Sequence, residues 1–165
     1  MICEPKMDTC IGRIAITLTL TALILSAGPS LAQEIERPAR MKDLPQAVQA
    51  TVREQSRGAV VLGLTVETEN GQTFYEASLR VKGRVRDVLI DASGNVVEVE
   101  EQVTLASLPP AARAEIVRQA GKGRILMVES ITKNNAIVAY EAHVKTAGKI
   151  SEIKVDPYGK TLPPE

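Results

Sequence analysis

The stretch QTFYEASLRVKGRVRDVLIDASG, residues 72–94, decides the fold, because the chain writes it again as IVAYEAHVKTAGKISEIKVDPYG, residues 137–159. Tyr75-Glu76-Ala77 returns as Tyr140-Glu141-Ala142, Gly83 as Gly148, and Asp91 with Gly94 as Asp156 with Gly159. Upstream, Leu44-Pro45 returns as Leu108-Pro109. The offset is 64 there and 65 afterwards, so one residue of slippage separates the two passages. Self-similarity at a fixed period points to one supersecondary unit used twice.

Inside the quoted stretch the alternation has period two. Tyr75, Ala77, Leu79 and Val81 take one side of a strand, and Glu76, Ser78, Arg80 and Lys82 take the other. Gly83 turns the chain, Val85 to Asp91 forms the next strand, and Ala92-Ser93-Gly94 turns it again. Val96 to Val103 supplies a fourth strand. Before the stretch, Val60 to Thr68 reads as a strand with Leu62, Leu64 and Val66 on one face, closed by an Asn70-Gly71 hairpin turn. Leu44, Val48 and Val52 recur every four residues and give a helix with one apolar stripe, capped by Asp43 or a neighbour, with Pro45 in its first turn. In the second passage Ser107 is the expected cap and Leu108, Ala112 and Ile116 the stripe, ending at Gly121 and Gly123. Strands follow at Ile125 to Lys133, Ile137 to Thr146 and Ile150 to Asp156. A further strand is stunted, because Thr161-Leu162 runs into Pro163-Pro164 and proline cannot donate to a ladder. The expected fold is α+β, with two tandem units, each one helix packed on a three- to four-stranded antiparallel meander sheet. The first unit covers residues 43–103 and the second 107–165, and a unit of about 60 residues alone has a marginal core. The two are therefore expected to pack together or share a sheet.

Residues 33–42 are polar, carry a proline and show no period, which suits a flexible lead-in. Residues 1–32 read as a signal peptide. The run Ile14 to Leu25 is apolar apart from threonines, and Ser30-Leu31-Ala32 offers small residues for cleavage after Ala32. The run is shorter than the ~20 residues that cross a bilayer, so no stable membrane insertion is expected after cleavage. The expected location is periplasmic or secreted.

Cys3 and Cys10 both precede that run, so the remainder can form neither a disulfide nor a thiolate metal site. Lys plus Arg and Asp plus Glu each number 20. Without a field of one sign, generic binding to nucleic acid is not expected. Three tyrosines, one phenylalanine and no tryptophan leave the core to Val, Leu, Ile and Ala.

At Asp91 and Asp156 an EF-hand would need alternating oxygen ligands and a distal glutamate, so the Asp-x-x-Gly motif reads as a turn. His143 is the single histidine, which is too little for zinc, and no serine or cysteine nucleophile motif accompanies it. No cofactor, metal site or catalytic residue is expected. The outward residues Glu76, Ser78, Arg80 and Lys82, with Glu141, His143 and Lys145, form the candidate protein-contact face, because a sheet covered by helices on one side leaves the other free. A sheet edge lacking its last strand is a second candidate.

The ordered set Leu44, Pro45, Tyr75, Glu76, Gly83, Asp91 and Gly94, repeated as Leu108, Pro109, Tyr140, Glu141, Gly148, Asp156 and Gly159, resembles the PepSY-like domain family and its beta-lactamase-inhibitor-like set. The resemblance spans about residues 43–162 and implies an exported, non-catalytic module, often in tandem. Related modules hold thermolysin-like peptidases inactive, and beta-lactamase inhibitor proteins offer a concave sheet to their enzyme. Those inhibitors use disulfides and aromatic contacts, whereas after residue 32 this chain has no cysteine and few aromatics, Phe74, Tyr75, Tyr140 and Tyr158. The implied role is a binding module for a protein or peptide, restraining or sensing an envelope enzyme. The alternative is a periplasmic accessory protein that binds a small ligand or an ion.

Overall fold

The computed structural model describes residues 35–163 apart from Asn70, and the expected signal peptide and its cleavage site lie outside the described residues. Eight strands follow one another: β1 (Ile35–Pro38), β2 (Val60–Glu69), β3 (Gln72–Val81), β4 (Arg84–Asp91), β5 (Val96–Gln102), β6 (Arg124–Lys133), β7 (Ala136–Thr146) and β8 (Lys149–Val155). Two helices interrupt them, α1 (Gln46–Gln55) between β1 and β2 and α2 (Pro110–Ala120) between β5 and β6. All eight strands form one antiparallel sheet in chain order.

This overturns the expectation of two tandem helix-on-sheet units. β5 and β6 pair through Val99–Thr132, Glu100–Ile131, Glu101–Ser130 and Gln102–Glu129. The ladder satisfies backbone groups that two separate sheets would each leave open at an edge. The lead-in expected at residues 33–42 is also corrected in part: Ile35–Pro38 pairs with β2 as an edge strand, where Pro38 is tolerated.

Both helices lie on the same side of the sheet. Leu44, Val48 and Val52 pack on Val66, Ala77, Leu79, Val88 and Ile90. Leu108, Ala112, Ile116 and Ala120 pack on Val128, Tyr140, Ala142, Val144, Ile153 and Val155. Tyr75 sits against the first cluster and Tyr140 within the second, as their alternation predicts. Each fully buried aliphatic side chain contributes about 2 kcal/mol, enough to hold short helices that would not persist alone.

The caps differ from expectation. Neither helix has a side-chain cap, and the residues at the cap positions are Pro45 and Pro109. Asp43 instead accepts from Arg40 Nε at 2.7 Å, and Ser107 Oγ donates to the Thr104 carbonyl at 2.7 Å. The Leu-Pro pair supplies a buried leucine just before a residue with preset φ.

The Asp-x-x-Gly turns form as read. Asp91 Oδ1 accepts from the amides of Ser93 and Asn95, and Asp156 Oδ1 from those of Tyr158 and Lys160, each at 2.9 Å. Gly94 and Gly159 have φ of 87° and 85°, and a Cβ there would meet Ala47 at 3.0 Å and Ala111 at 2.8 Å. The turn thus seats the start of each helix against the sheet.

The register shifts at four places, among them the β-bulges at Val61/Gly63 in β2 and Ile125/Met127 in β6. The extra residues, Leu62 and Leu126, are 44% and 40% exposed. Leu62 therefore leaves the face it was expected to share with Leu64 and Val66. Among the described residues after β8, Thr161 forms an isolated bridge with Val155, and the Leu162 amide donates to the Lys154 carbonyl at 2.9 Å.

Candidate functional site

Pairing across the sheet sets which residues share the face away from the helices. One row runs Ser78–Asp87–Glu100–Ile131–Ala139, and its neighbour runs Gln102–Glu129–Glu141–Lys154. A third contains Glu76, Leu89 and Glu98. No described helix covers this face, yet Glu129 is 3% exposed, Lys154 6%, Glu98 7% and Ile131 fully buried. The sheet must curl toward this side to shut water out, as twisted sheets of many strands do. Carboxylates sit on the floor of a concavity.

At the β7–β8 end the carboxylates have an imidazole and an ammonium group beside them. His143 Nε2 is 3.1 Å from Glu129 Oε2 and 3.6 Å from Glu141 Oε1, and its Nδ1 is 3.7 Å from Glu152 Oε1. Lys154 Nζ lies 4.0 Å from Glu141 Oε2. Burial, with the Glu152 charge next, still raises the pKa of Glu141.

At the β3–β5 end anions dominate. Glu36, Glu67, Glu76, Asp87, Leu89, Glu98 and Glu100 line a cleft of about 150 Å³. Lys133 Nζ reaches Glu98 Oε2 at 2.7 Å, and Ser78 Oγ donates to Glu76 Oε1 at 2.9 Å. Glu98 Oε1 and Asp87 Oδ1 are buried with no hydrogen-bond partner. Burial, then the charges of Glu129, Glu98 and Glu141, pushes Glu100 up to about 8, and burial raises Asp87 too. Desolvated carboxylates crowded together favour taking up a proton or a cation. Among the described residues, one oxygen from each of Asp87, Glu100 and Glu129 lies within 4.8 Å of the others, and Glu141, His143 and Glu152 meet the same condition.

No protein-family model and no curated protein matches the chain. Solved structures do match. A candidate periplasmic protein from Bacteroides eggerthii is 17% identical with a TM-score of 0.59, over 73% of this chain and 86% of that one. A BLIP-like protein from Bacteroides fragilis is 20% identical with a TM-score of 0.52, over 73% and 84%. A DUF2874 family protein from Bacteroides ovatus is 18% identical with a TM-score of 0.56, over 73% and 85%. The chain has a BLIP-like fold. At these identities the likeness extends to backbone architecture alone.

The candidate contact face read from the sequence is placed as follows. Glu76 and Ser78 are half-buried on the concave face beside Asp87 and Leu89. Glu141 and His143 are half-buried at the other end of the same face. Arg80 and Lys145 are exposed on their strands. Lys82 lies beyond β3 in the hairpin turn, with φ of 51°, so it does not join the group. The sequence reading missed Asp87, Glu98, Glu100, Glu129, Glu152 and Lys154. Alternation along β4, β5 and β8 was the available signal: Asp87 alternates with Val88, and Glu98 and Glu100 flank Val99.

Proposed function

We propose that this chain is an exported, non-catalytic binding module that acts in the periplasm and holds a protein partner on the concave face of its sheet. The observation that carries this reading is the uncovered, curled face, whose carboxylates outnumber its cations at the β3–β5 end. A partner presenting lysine or arginine side chains would neutralise them, and the same field would speed its approach. Similarity of fold to a BLIP-like protein supports a contact made by the sheet. A restrained or sensed envelope enzyme is the partner class we favour. The ring of His143 is occupied by three carboxylates instead of a hydroxyl or thiol nucleophile, which supports a role without catalysis.

The test is capture from envelope extract on immobilised protein. Partner retained at low ionic strength, released at about 0.5 M NaCl, where screening shortens to a few ångström, and lost with Glu76→Lys would uphold the reading. A retained set identical for wild type and Glu76→Lys would remove it.

A further inference from the structure

The chain is neutral overall, but its charges are unevenly placed. In a meander every second turn falls at the same end of the sheet. The β3–β4 and β7–β8 turns share one end, where β2 and β6 also begin. Arg80, Lys82 and Arg84 surround the first of these turns, Lys145 and Lys149 flank the second, and Arg124 opens β6. All six are exposed, and among the described residues none of them is in an ion pair. Arg124 even stands directly opposite Lys145, a like-charge pairing that costs the sheet stability. Carboxylates that border this end have partners of their own: Glu101 lies 3.2 Å from Arg86, and Glu152 lies 3.7 Å from His143. Unneutralised cations held together in this way attract an anion from outside the chain.

A separate observation concerns the apolar side chains among them. Val60 is the cross-strand partner of Arg80, and Ile150 that of Lys145, and each is 61% exposed. The bulges in β2 and β6 add Leu62 and Leu126, both exposed, at the same end. The two halves of this rim are continuous. A cleft of about 460 Å³ lined by Lys82, Arg84 and Arg86 adjoins an apolar groove lined by Ile125, Leu126 and Met127, and Gln102 and Val103 line both.

We propose that this end of the sheet docks on an anionic phospholipid surface, with its lysines and arginines at the headgroup phosphates and Val60, Leu62, Leu126 and Ile150 entering the interface. Interfacial binding draws on both terms, electrostatic attraction to anionic lipid and burial of apolar area among the headgroups. A soluble acidic polymer would satisfy the cations and leave the four aliphatic side chains in water. A lipid surface takes both, and it yields to side chains carried on turns and strand ends without needing a matching pocket. The docking is peripheral. The carboxylates of the concave face take no part in it, so it stands whatever that face binds.

The experiment uses the chain from Gln33, which holds every strand and helix of the fold and omits the apolar run before it. Its binding is measured by sedimentation with vesicles of equimolar phosphatidylglycerol and phosphatidylcholine, with vesicles of phosphatidylcholine alone, and by titration with polyglutamate, all at about 50 mM NaCl, where screening is weak. We expect binding about tenfold tighter, or more, to the anionic vesicles than to either alternative. Lys82→Glu/Arg84→Glu should weaken vesicle binding about tenfold. Leu62→Ser/Leu126→Ser should weaken it about fivefold and leave any binding to polyglutamate unchanged. Glu76→Lys, which probes the concave face, and Ile137→Ser, at the opposite end of the sheet, should bind vesicles as wild type does. Circular dichroism checks the fold of each variant, and the wild-type arms decide the matter where a variant fails to fold. No binding to the anionic vesicles, equal binding to both kinds of vesicle, or polyglutamate bound as tightly overturns the proposal. So does a folded leucine variant that binds vesicles like wild type.

Discussion

The two ends of the concave face carry matched residues and different charge balance. Glu76 corresponds to Glu141, Ser78 to His143, Asp87 to Glu152 and Leu89 to Lys154, all at an offset of 65. The paired positions are also equivalent neighbours on the sheet: Glu76 pairs with Leu89 and Glu141 with Lys154. Where the β7–β8 end has imidazole and ammonium, the β3–β5 end has hydroxyl and isobutyl. The backbone positions a side chain, but its charge is free to diverge wherever the side chain faces a cleft and not the hydrocarbon core. The core positions diverge less: Tyr75 and Tyr140, Ala77 and Ala142, and Ile90 and Val155 remain apolar or nearly so.

The largest effect should come from removing the cation of the balanced end. Lys154→Met leaves Glu141 and Glu129 buried without it and is expected to cost about 3 kcal/mol, read from the urea midpoint at pH 7. An unchanged midpoint would mean that the two ends do not differ in how their charge is held.

Next in size are two substitutions that probe where the ends agree. Gly94→Ala and Gly159→Ala each force a Cβ against a helix backbone at positive φ. Each should cost about 2 kcal/mol, and a cost confined to one would break the structural equivalence of the turns.

The pH dependence follows from Glu100. Its folded pKa of about 8 lies above the ordinary 4.5, so the folded chain binds more protons between those values and its stability falls as pH rises through that window. Asp87, Glu98, Glu129, Glu141 and Lys154 are the charged groups that bear on it. Glu100→Gln should flatten the fall, a change on the order of 2 kcal/mol at pH 8 after allowing for the water that reaches a half-buried side chain. Parallel stability curves for wild type and variant from pH 5 to 8 would contradict it.

The smallest expected effect sharpens the contrast most. Leu89→Lys installs at the β3–β5 end the cation that Lys154 provides at the other. It should stabilise the fold by about 1 kcal/mol at low salt and lose that gain in about 1 M NaCl. Destabilisation at both salt concentrations would show that Leu89 is held for packing.

Much of the fold was legible along the chain. The strands begin and end within a few residues of their alternating runs, and the helix stripes at Val48 and Val52 and at Ala112 and Ile116 are the buried ones. The half of the site on β3 and β7 was legible by the same period. The residues on β4, β5 and β6 escaped notice because Glu98, Glu100 and Glu129 look like ordinary solvated glutamates until their exposure is known. Leu62 was misplaced because a bulge shifts the phase of the strand, and Gly63 beside it was the available sign.

What the chain determined by itself is local: hairpin turns where glycine or asparagine takes positive φ, apolar stripes on two short helices, and the repeated motif order. These depend on contacts between residues close in sequence. The tertiary structure alone decided that β5 and β6 join into one sheet, because backbone hydrogen bonds carry no side-chain signature and two edges must meet before either benefits. The same curling of that sheet decided which carboxylates lose their water. Burial is a property of neighbours brought in from other strands, and no window of sequence contains them.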